Sequence, residues 1–161
     1  MTVLDDLLKD QSYHVRNSLA SIINRLVQIV RPEYVRDTLL NILISLFNDT
    51  VNDVRLTSIR NSPSFFKLFG IDLMKEKVLV ELKKISEDKN WKIRLAALEI
   101  FPTVINEYGE SLSESVFEIQ NSYNLDHVSI IRKQVIQNFK EYFSILVTPI
   151  NKIVTKQIKK V

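Results

Sequence analysis

The sequence predicts an all-α protein, built as a right-handed α-solenoid of about four helix pairs with an extra C-terminal helix. Three observations lead to this fold class. The 161 residues include only two glycines and four prolines, too few for a turn-rich β-protein. An Asp followed six residues later by an Arg occurs four times along the chain. The apolar residues between these motifs are spaced by three and four positions, as on one face of a helix.

The repeated motif reads DQSYHVR, DTVNDVR, DKNWKIR and DHVSIIR, with a branched apolar residue directly before each Arg. Successive arginines are 39, 39 and 38 residues apart. A regular period of about 40 residues is typical of solenoids, in which no unit can bury its apolar face alone. The motif residues are Asp10, Arg16, Asp49, Arg55, Asp88, Arg94, Asp126 and Arg132.

This period divides a single domain, residues 1–161, into four units and a partial one. The predicted units are 2–30, 33–70, 72–109 and 111–147, followed by a capping or partial helix over 149–161. In each unit the first helix runs up to the Asp and the second helix follows it. The first helix of the third unit shows the pattern, with one apolar face formed by Met74, Val78, Leu82 and Ile85.

Proline and glycine positions agree with these boundaries. Pro149 is placed to begin the last helix, because proline is tolerated in a first helical turn. Gly70 and Gly109 each lie 15 residues after a repeat Arg, where a helix C-cap is expected. Pro63 and Pro102 each lie eight residues after a repeat Arg and are expected to bend the second helices of their units.

The repeated Asp and Arg side chains are expected to form a ladder along one edge of the stack. Each Asp lies in the turn between paired helices, and each Arg lies in the first turn of the second helix. Arginine presents a planar fork of donors and Asp two acceptor oxygens, so the pair can bridge turns within and between units. Arg94 is expected to be the partner of Asp88. The predicted role is structural, since an Arg with an Asp at hand is poorly suited to binding phosphate.

The sequence gives no support for catalysis, a cofactor or a metal site. There is no cysteine, and the two histidines, His14 and His127, are not in a metal-ligand spacing. Neither a glycine-rich phosphate loop nor a serine in a nucleophile-elbow context is present. We therefore expect no cofactor and interpret the chain as a protein without enzymatic activity.

The charge distribution favours neither a nucleic-acid nor a membrane partner. The net charge of +3 is accounted for by the C-terminal stretch INKIVTKQIKKV, which holds four lysines and no acid. A nucleic-acid-binding surface would need basic residues along a whole face. No apolar run approaches the roughly 18 residues of a membrane span, and the N-terminus lacks the basic region of a secretory signal. A soluble cytoplasmic or nuclear protein is expected.

The turns before the repeat arginines are the expected place for partner binding, because loops held by a rigid scaffold often carry recognition. The candidate residues are Asn52, Asp53, Trp91, Lys92 and Ser129, with Tyr13, His14 and Ile130 at equivalent positions. Trp91 is the only tryptophan. It is either an interface anchor or packs into the end of its own helix pair.

The repeating unit resembles a HEAT repeat, and the chain is similar to the family of scaffold (A) subunits of protein phosphatase 2A. The resemblance rests on NDVRLTSI, ISEDKNWKIRLAALEIFPTVINEYG and NLDHVSIIRKQV and covers roughly residues 40–145. It implies a non-catalytic scaffold whose inter-helix turns hold a serine/threonine phosphatase catalytic subunit. It also implies that Trp91 and Lys92 belong to the binding ridge. Lys92 stands where the family usually has Arg, and Ser129 where it has an aromatic residue.

A second function remains open from the sequence: a transport or cargo adaptor that binds its ligand in the concave groove of a HEAT or armadillo array. Such a groove is expected to carry rows of asparagine or acidic residues on the second helices. Asn17, Asn24, Asn61 and Asn138 lie on those helices but form no regular row. Identification of the proteins captured by the chain distinguishes the two functions.

Overall fold

The structure is a computed structural model that describes residues 3–158, with side chains described through Val147 except that of Leu146. Every regular element in this part of the chain is helical, and no strand occurs in it. The all-α class predicted from the sequence is therefore confirmed.

Nine helices follow one another along the described residues. They are α1 (Val3–Leu8), α2 (Tyr13–Leu26), α3 (32–47), α4 (Asn52–Asn61), α5 (Pro63–Phe66), α6 (71–85), α7 (Trp91–Tyr108), α8 (Glu110–Asn121) and α9 (Ser129–Ile158), with a 3-10 turn at Ser122–Leu125. α3 consists of Pro32–Tyr34, the π-helical Val35–Leu39 and Leu40–Phe47. α6 repeats this composition as Ile71–Leu73, the π-helical Met74–Val78 and Leu79–Ile85.

The helices pack in two parallel rows. In one row α2 contacts α4, α4 contacts α7, and α7 contacts α9. In the other row α1 contacts α3, α3 contacts α6, and α6 contacts α8. Each helix of the first row also contacts its chain neighbour in the second, and aromatic contacts of Phe117 with Phe139 and Tyr142 join α8 to α9. The turns that precede α2, α4, α7 and α9 therefore follow one another along the stack.

The apolar periodicity of the sequence corresponds to the buried face of the helices. Met74, Val78, Leu82 and Ile85 of α6 all belong to one continuous core. Complete burial of a side chain of this size contributes about 1.5–3 kcal/mol. The last unit departs from the pattern, because Phe139 of α9 lies at helical spacing between the buried Val135 and Tyr142 and is nevertheless exposed.

Two of the predicted features, the bend at Pro63 and the C-cap at Gly70, differ in the structure. Pro63 does not bend a continuous helix but follows a break at Ser62 and begins α5, whereas Pro102 lies inside the uninterrupted α7. Gly109 caps α7 with a φ of 56°, in the left-handed region that favours glycine, and its N–H donates to the Ile105 carbonyl at 2.8 Å. Gly70 has an ordinary φ of −69° and precedes α6, so the predicted C-cap there is wrong.

The predicted separate helix over 149–161 is also wrong for the described residues. α9 begins at Ser129 and continues through Pro149 to Ile158 as one helix. No glycine lies between those residues to end it. The proposed apolar cap formed by Ile150, Ile153, Val154 and Ile158 falls on side chains outside the described part of the structure.

Candidate protein-interaction site at the helix turns

Each repeat Asp shapes the turn in which it lies. Its Oδ1 accepts a hydrogen bond from the backbone N–H two residues later, which is the Asx-turn contact that favours Asp at such positions. The four contacts are Ser12 to Asp10 at 2.7 Å, Val51 to Asp49 at 2.8 Å, Asn90 to Asp88 at 2.7 Å and Val128 to Asp126 at 2.8 Å. The same side chain therefore produces the same turn four times.

Each repeat Arg closes its own turn from the other side. Its Nη1 donates to the backbone carbonyl of the Asp six residues earlier. These distances are 2.7 Å for Arg16, 2.7 Å for Arg55, 2.7 Å for Arg94 and 2.6 Å for Arg132. The first turn of each second helix is thus tied to the preceding inter-helix turn by a charged donor.

The remaining nitrogens of Arg16 and Arg94 reach forward to the Asp of the next unit. Arg16 binds both carboxylate oxygens of Asp49, at 2.6 and 3.1 Å. Arg94 binds both oxygens of Asp126, at 2.7 and 2.9 Å. The partner of the Arg94 fork is therefore Asp126, and not Asp88 as the sequence suggested. The Arg94 side chain spans two turns, and in its own unit it contacts only backbone carbonyls, those of Asp88 and Lys89.

The middle rung of this ladder is weaker. Arg55 reaches Asp88 with a single nitrogen, Nη2, at 3.1 Å. The same nitrogen also donates to Asn52 Oδ1 at 2.6 Å, and the buried Arg55 Nε has no hydrogen-bond partner. A single-point contact restricts rotation less than a two-point contact does.

The arginines alter the acidity of the carboxyl groups that they bind. Burial alone would raise the pKa of Asp49, but hydrogen bonds from Arg16 and the Val51 N–H outweigh it, and the pKa lies below its usual value. For Asp126 the hydrogen bond from Arg94 is the largest influence, and it lowers the pKa against the effect of burial.

We expect the protein to lose stability as the pH falls below about 4. A carboxyl group whose pKa is lower in the folded state contributes stability above its unfolded pKa of about 3.9, and this contribution is lost as the pH falls through the folded value. Urea unfolding between about pH 6 and pH 2 measures the effect. Asp49→Asn should show a shallower pH dependence than the parent, and identical slopes would contradict this role of Asp49.

The five predicted partner-binding residues all lie exposed in the first turns of second helices. Asn52 and Asp53 begin α4, Trp91 and Lys92 begin α7, and Ser129 begins α9. Because the ladder links these turns in sequence, the five residues follow one edge of the molecule, which we call the turn ridge.

Trp91 is the largest exposed side chain of the turn ridge. It is 37% exposed, so part of its surface remains accessible to a partner. Lys92 Nζ lies 6.0 Å from the centroid of the ring, at the outer limit of a cation–π contact. The Asn90 side chain accepts from the Lys92 N–H at 3.0 Å and caps α7. The cap holds the backbone of both residues while their side chains remain accessible.

Two contacts between units were missed in the sequence. Asn61 and Asn138 both lie six residues after a repeat Arg. The amide nitrogen of Asn61 donates to the Ala20 carbonyl at 3.0 Å, and that of Asn138 donates to the Leu98 carbonyl at 2.7 Å. Both carbonyls lie four residues after the Arg of the preceding unit, so the shared offset was the available signal.

Tyr108 forms a third contact of this kind. Its hydroxyl donates to the carbonyl oxygens of Phe66 and Phe69, the latter at 2.8 Å. These carbonyls lie at and after the end of α5, and the Phe66 carbonyl also accepts from the Phe69 N–H at 3.0 Å. Burial is the main reason that the pKa of Tyr108 rises to about 12.

No protein-family model matches the chain, and no curated protein sequence matches it significantly. Within residues 3–158, no helix combines the length and apolar character needed to cross a membrane. The turn ridge therefore has to be interpreted from its own geometry and from the sequence resemblance.

Proposed function

We propose that this chain is a non-catalytic scaffold, a right-handed solenoid of four HEAT-type units that binds a protein partner along the turn ridge. The observation that carries the proposal is that the ladder holds the turn from which the exposed Trp91 and Lys92 project. Binding surfaces favour aromatic anchors on a fixed backbone, because little conformational freedom is then lost on association.

The partner that we propose is a serine/threonine phosphatase catalytic subunit of type 2A. The sequence resemblance supports this class, with Trp91 and Lys92 at the centre of the ridge. Asn52 and Asp53 on one side and Ser129 on the other extend the surface over three neighbouring turns. Asp53 and Lys92 have opposite charges, so the ridge can orient a partner that carries both signs.

The groove-adaptor alternative has less support. Three of its four candidate asparagines donate hydrogen bonds within the protein: Asn24 donates to Asn61 at 3.4 Å, and Asn61 and Asn138 donate to backbone carbonyls. Amide groups that hold neighbouring helices together are not free to bind a peptide.

Titration of a purified type 2A catalytic subunit against the protein and its variants tests the proposal. Trp91→Ala should weaken binding by at least about 30-fold, because a buried Trp anchor contributes about 2 kcal/mol or more and 1.4 kcal/mol is tenfold. Lys92→Glu should mainly slow association and alter its salt dependence.

The matched control is Lys77→Glu, an exposed lysine of α6 in the other row of helices. It should change neither the affinity nor the association rate, and circular dichroism should show all three variants folded. Equal losses in Trp91→Ala, Lys92→Glu and Lys77→Glu would indicate non-specific charge. If the parent shows no measurable affinity, the type 2A catalytic subunit is not the partner, and the chain is an interaction module for another protein.

A further inference from the structure

The second helices of the first three units share one completely covered face. It consists of the residues four, seven and eleven positions after the repeat Arg. These residues are Ala20, Ile23 and Val27 in the first unit, Ile59, Ser62 and Phe66 in the second, and Leu98, Phe101 and Ile105 in the third. None of them is more than 6% exposed, because each face is covered by the unit that follows.

The same face of the fourth unit is open. Its equivalent residues are Ile136, Phe139 and Phe143, which are 61%, 37% and 71% exposed. With Phe117, Tyr142 and Val147, two of these aromatic side chains line an apolar groove of about 270 Å³. A contiguous exposed apolar patch of this kind marks an interaction site. We call it the C-terminal stacking face.

Arg132 stands at the edge of this face and has an incomplete set of contacts. Arg16, Arg55 and Arg94 each bind the Asp carboxylate of the next unit, but among the described residues Arg132 has only the Asp126 carbonyl. Its side chain is exposed. A matching occupant must therefore bring both an apolar helix surface and a carboxylate held in a turn.

The first unit carries both features. Asp10 is the one repeat Asp whose carboxylate forms no ion pair with an Arg among the described residues, although the charge of Arg16 in its own unit acts on it. Its Oδ1 is held by the Ser12 N–H in the turn shared by all four. Ile22 lies six residues after Arg16, at the position where the third and fourth units bury Ile100 and Asn138 against the preceding unit. Ile22 is 42% exposed, so the receiving position of the first unit is uncovered.

We propose that the C-terminal stacking face binds the first unit of a second copy of this chain. In this head-to-tail contact, the fork of Arg132 binds Asp10 of the second copy, and the apolar face of α9 packs on the surface around its Ile22. The contact repeats the geometry by which units stack inside one chain. Because the two surfaces differ, an assembly of any length still has one free surface of each kind, at its two ends. It therefore grows as an open filament or closes as a ring.

Sedimentation velocity over a concentration series tests this inference. The parent should show a mass that rises with concentration. Arg132→Asp and Asp10→Arg should each weaken self-association at least about tenfold, since like charges then oppose each other. The double variant Asp10→Arg/Arg132→Asp should regain association, because the charges are exchanged and opposite. An equimolar mixture of the two single variants should also associate.

Phe143→Glu supplies a variant that leaves the ladder intact, and it should also abolish association. The matched control is Val80→Glu, which places the same charge on an exposed apolar residue of α6. A parent that remains monomeric at every concentration would overturn the proposal, as would failure of the charge exchange to restore association. Loss of association in Val80→Glu equal to that in Phe143→Glu would point to non-specific aggregation and overturn it as well. Thermal unfolding of each variant separates loss of the contact from loss of the fold.

Discussion

Arg94→Ala is expected to lower the free energy of unfolding by about 2–4 kcal/mol. The side chains of Arg94 and Asp126 are only 6% and 8% exposed, so removal of the fork leaves a carboxylate that water reaches poorly. The substitution also removes the donor to the Asp88 carbonyl, which lies in the turn between α6 and α7. Urea unfolding followed by circular dichroism measures the loss.

Arg132→Ala is the matched control for this prediction. Arg132 makes the same contact with its own Asp carbonyl but binds no carboxylate among the described residues, so its loss should be below about 1 kcal/mol. Asp126→Asn, which keeps the Oδ1 acceptor for the Val128 N–H, completes a double-mutant cycle with Arg94→Ala. Equal losses at Arg94 and Arg132 would contradict a role for the ladder between units.

Asn138→Ala is expected to cost about 2–4 kcal/mol, because the substitution leaves the buried Leu98 carbonyl without this donor and removes one hydrogen bond from each of Gln120 and Gln134. The Asn138 amide donates to the Leu98 carbonyl and, at 3.2 Å, to Gln120 Oε1, which also accepts from the Tyr142 hydroxyl at 2.6 Å. The Leu98 carbonyl depends on this donor in particular. In a regular helix it would accept from the backbone N–H of residue 102, and Pro102 has none.

This dependence gives the prediction a specific test. Pro102→Ala restores a backbone N–H opposite the Leu98 carbonyl. The change that it causes in the free energy of unfolding should therefore be more stabilising by about 1 kcal/mol in the Asn138→Ala background than in the parent. Chemical denaturation of the four proteins of this cycle measures the coupling. The differences in helix propensity and chain entropy between Pro and Ala occur in both backgrounds and cancel. A coupling of zero would mean that Asn138 does not compensate for the proline.

Much of the fold could be predicted from the sequence because local patterns determine it. The spacing of Met74, Val78, Leu82 and Ile85 is sufficient to place one helical face in the core. Gly109 caps α7 as expected, since few other residues adopt a positive φ. The continuation of α9 through Pro149 could not be predicted, because a proline is compatible with both a first turn and a helix interior that tolerates one lost hydrogen bond.

The residues of the ladder could be predicted from the sequence, but not which Asp each Arg binds. The constant Asp and Arg spacing identifies the participants, yet the Arg94 fork has two carboxylates within reach of a stacked arrangement, Asp88 and Asp126. Only the three-dimensional offset between units decides between them. The exposure of Trp91 could not be predicted either, since it depends on how closely the neighbouring turns approach the indole.

The unequal rungs of the ladder give the molecule uneven stiffness. Within the ladder, Arg16 and Arg94 each hold the next turn with two nitrogens, whereas Arg55 holds the turn of Asp88 with one. Away from the ridge, the Tyr108 hydroxyl also joins the second and third units. Under a bending load, deformation concentrates at the most compliant junction of a chain of connected bodies. That step of the ladder lies between the turns of Asn52 and Trp91, so we expect the proposed ridge to bend there before it bends elsewhere. A ligand that binds both turns would restrict this bending.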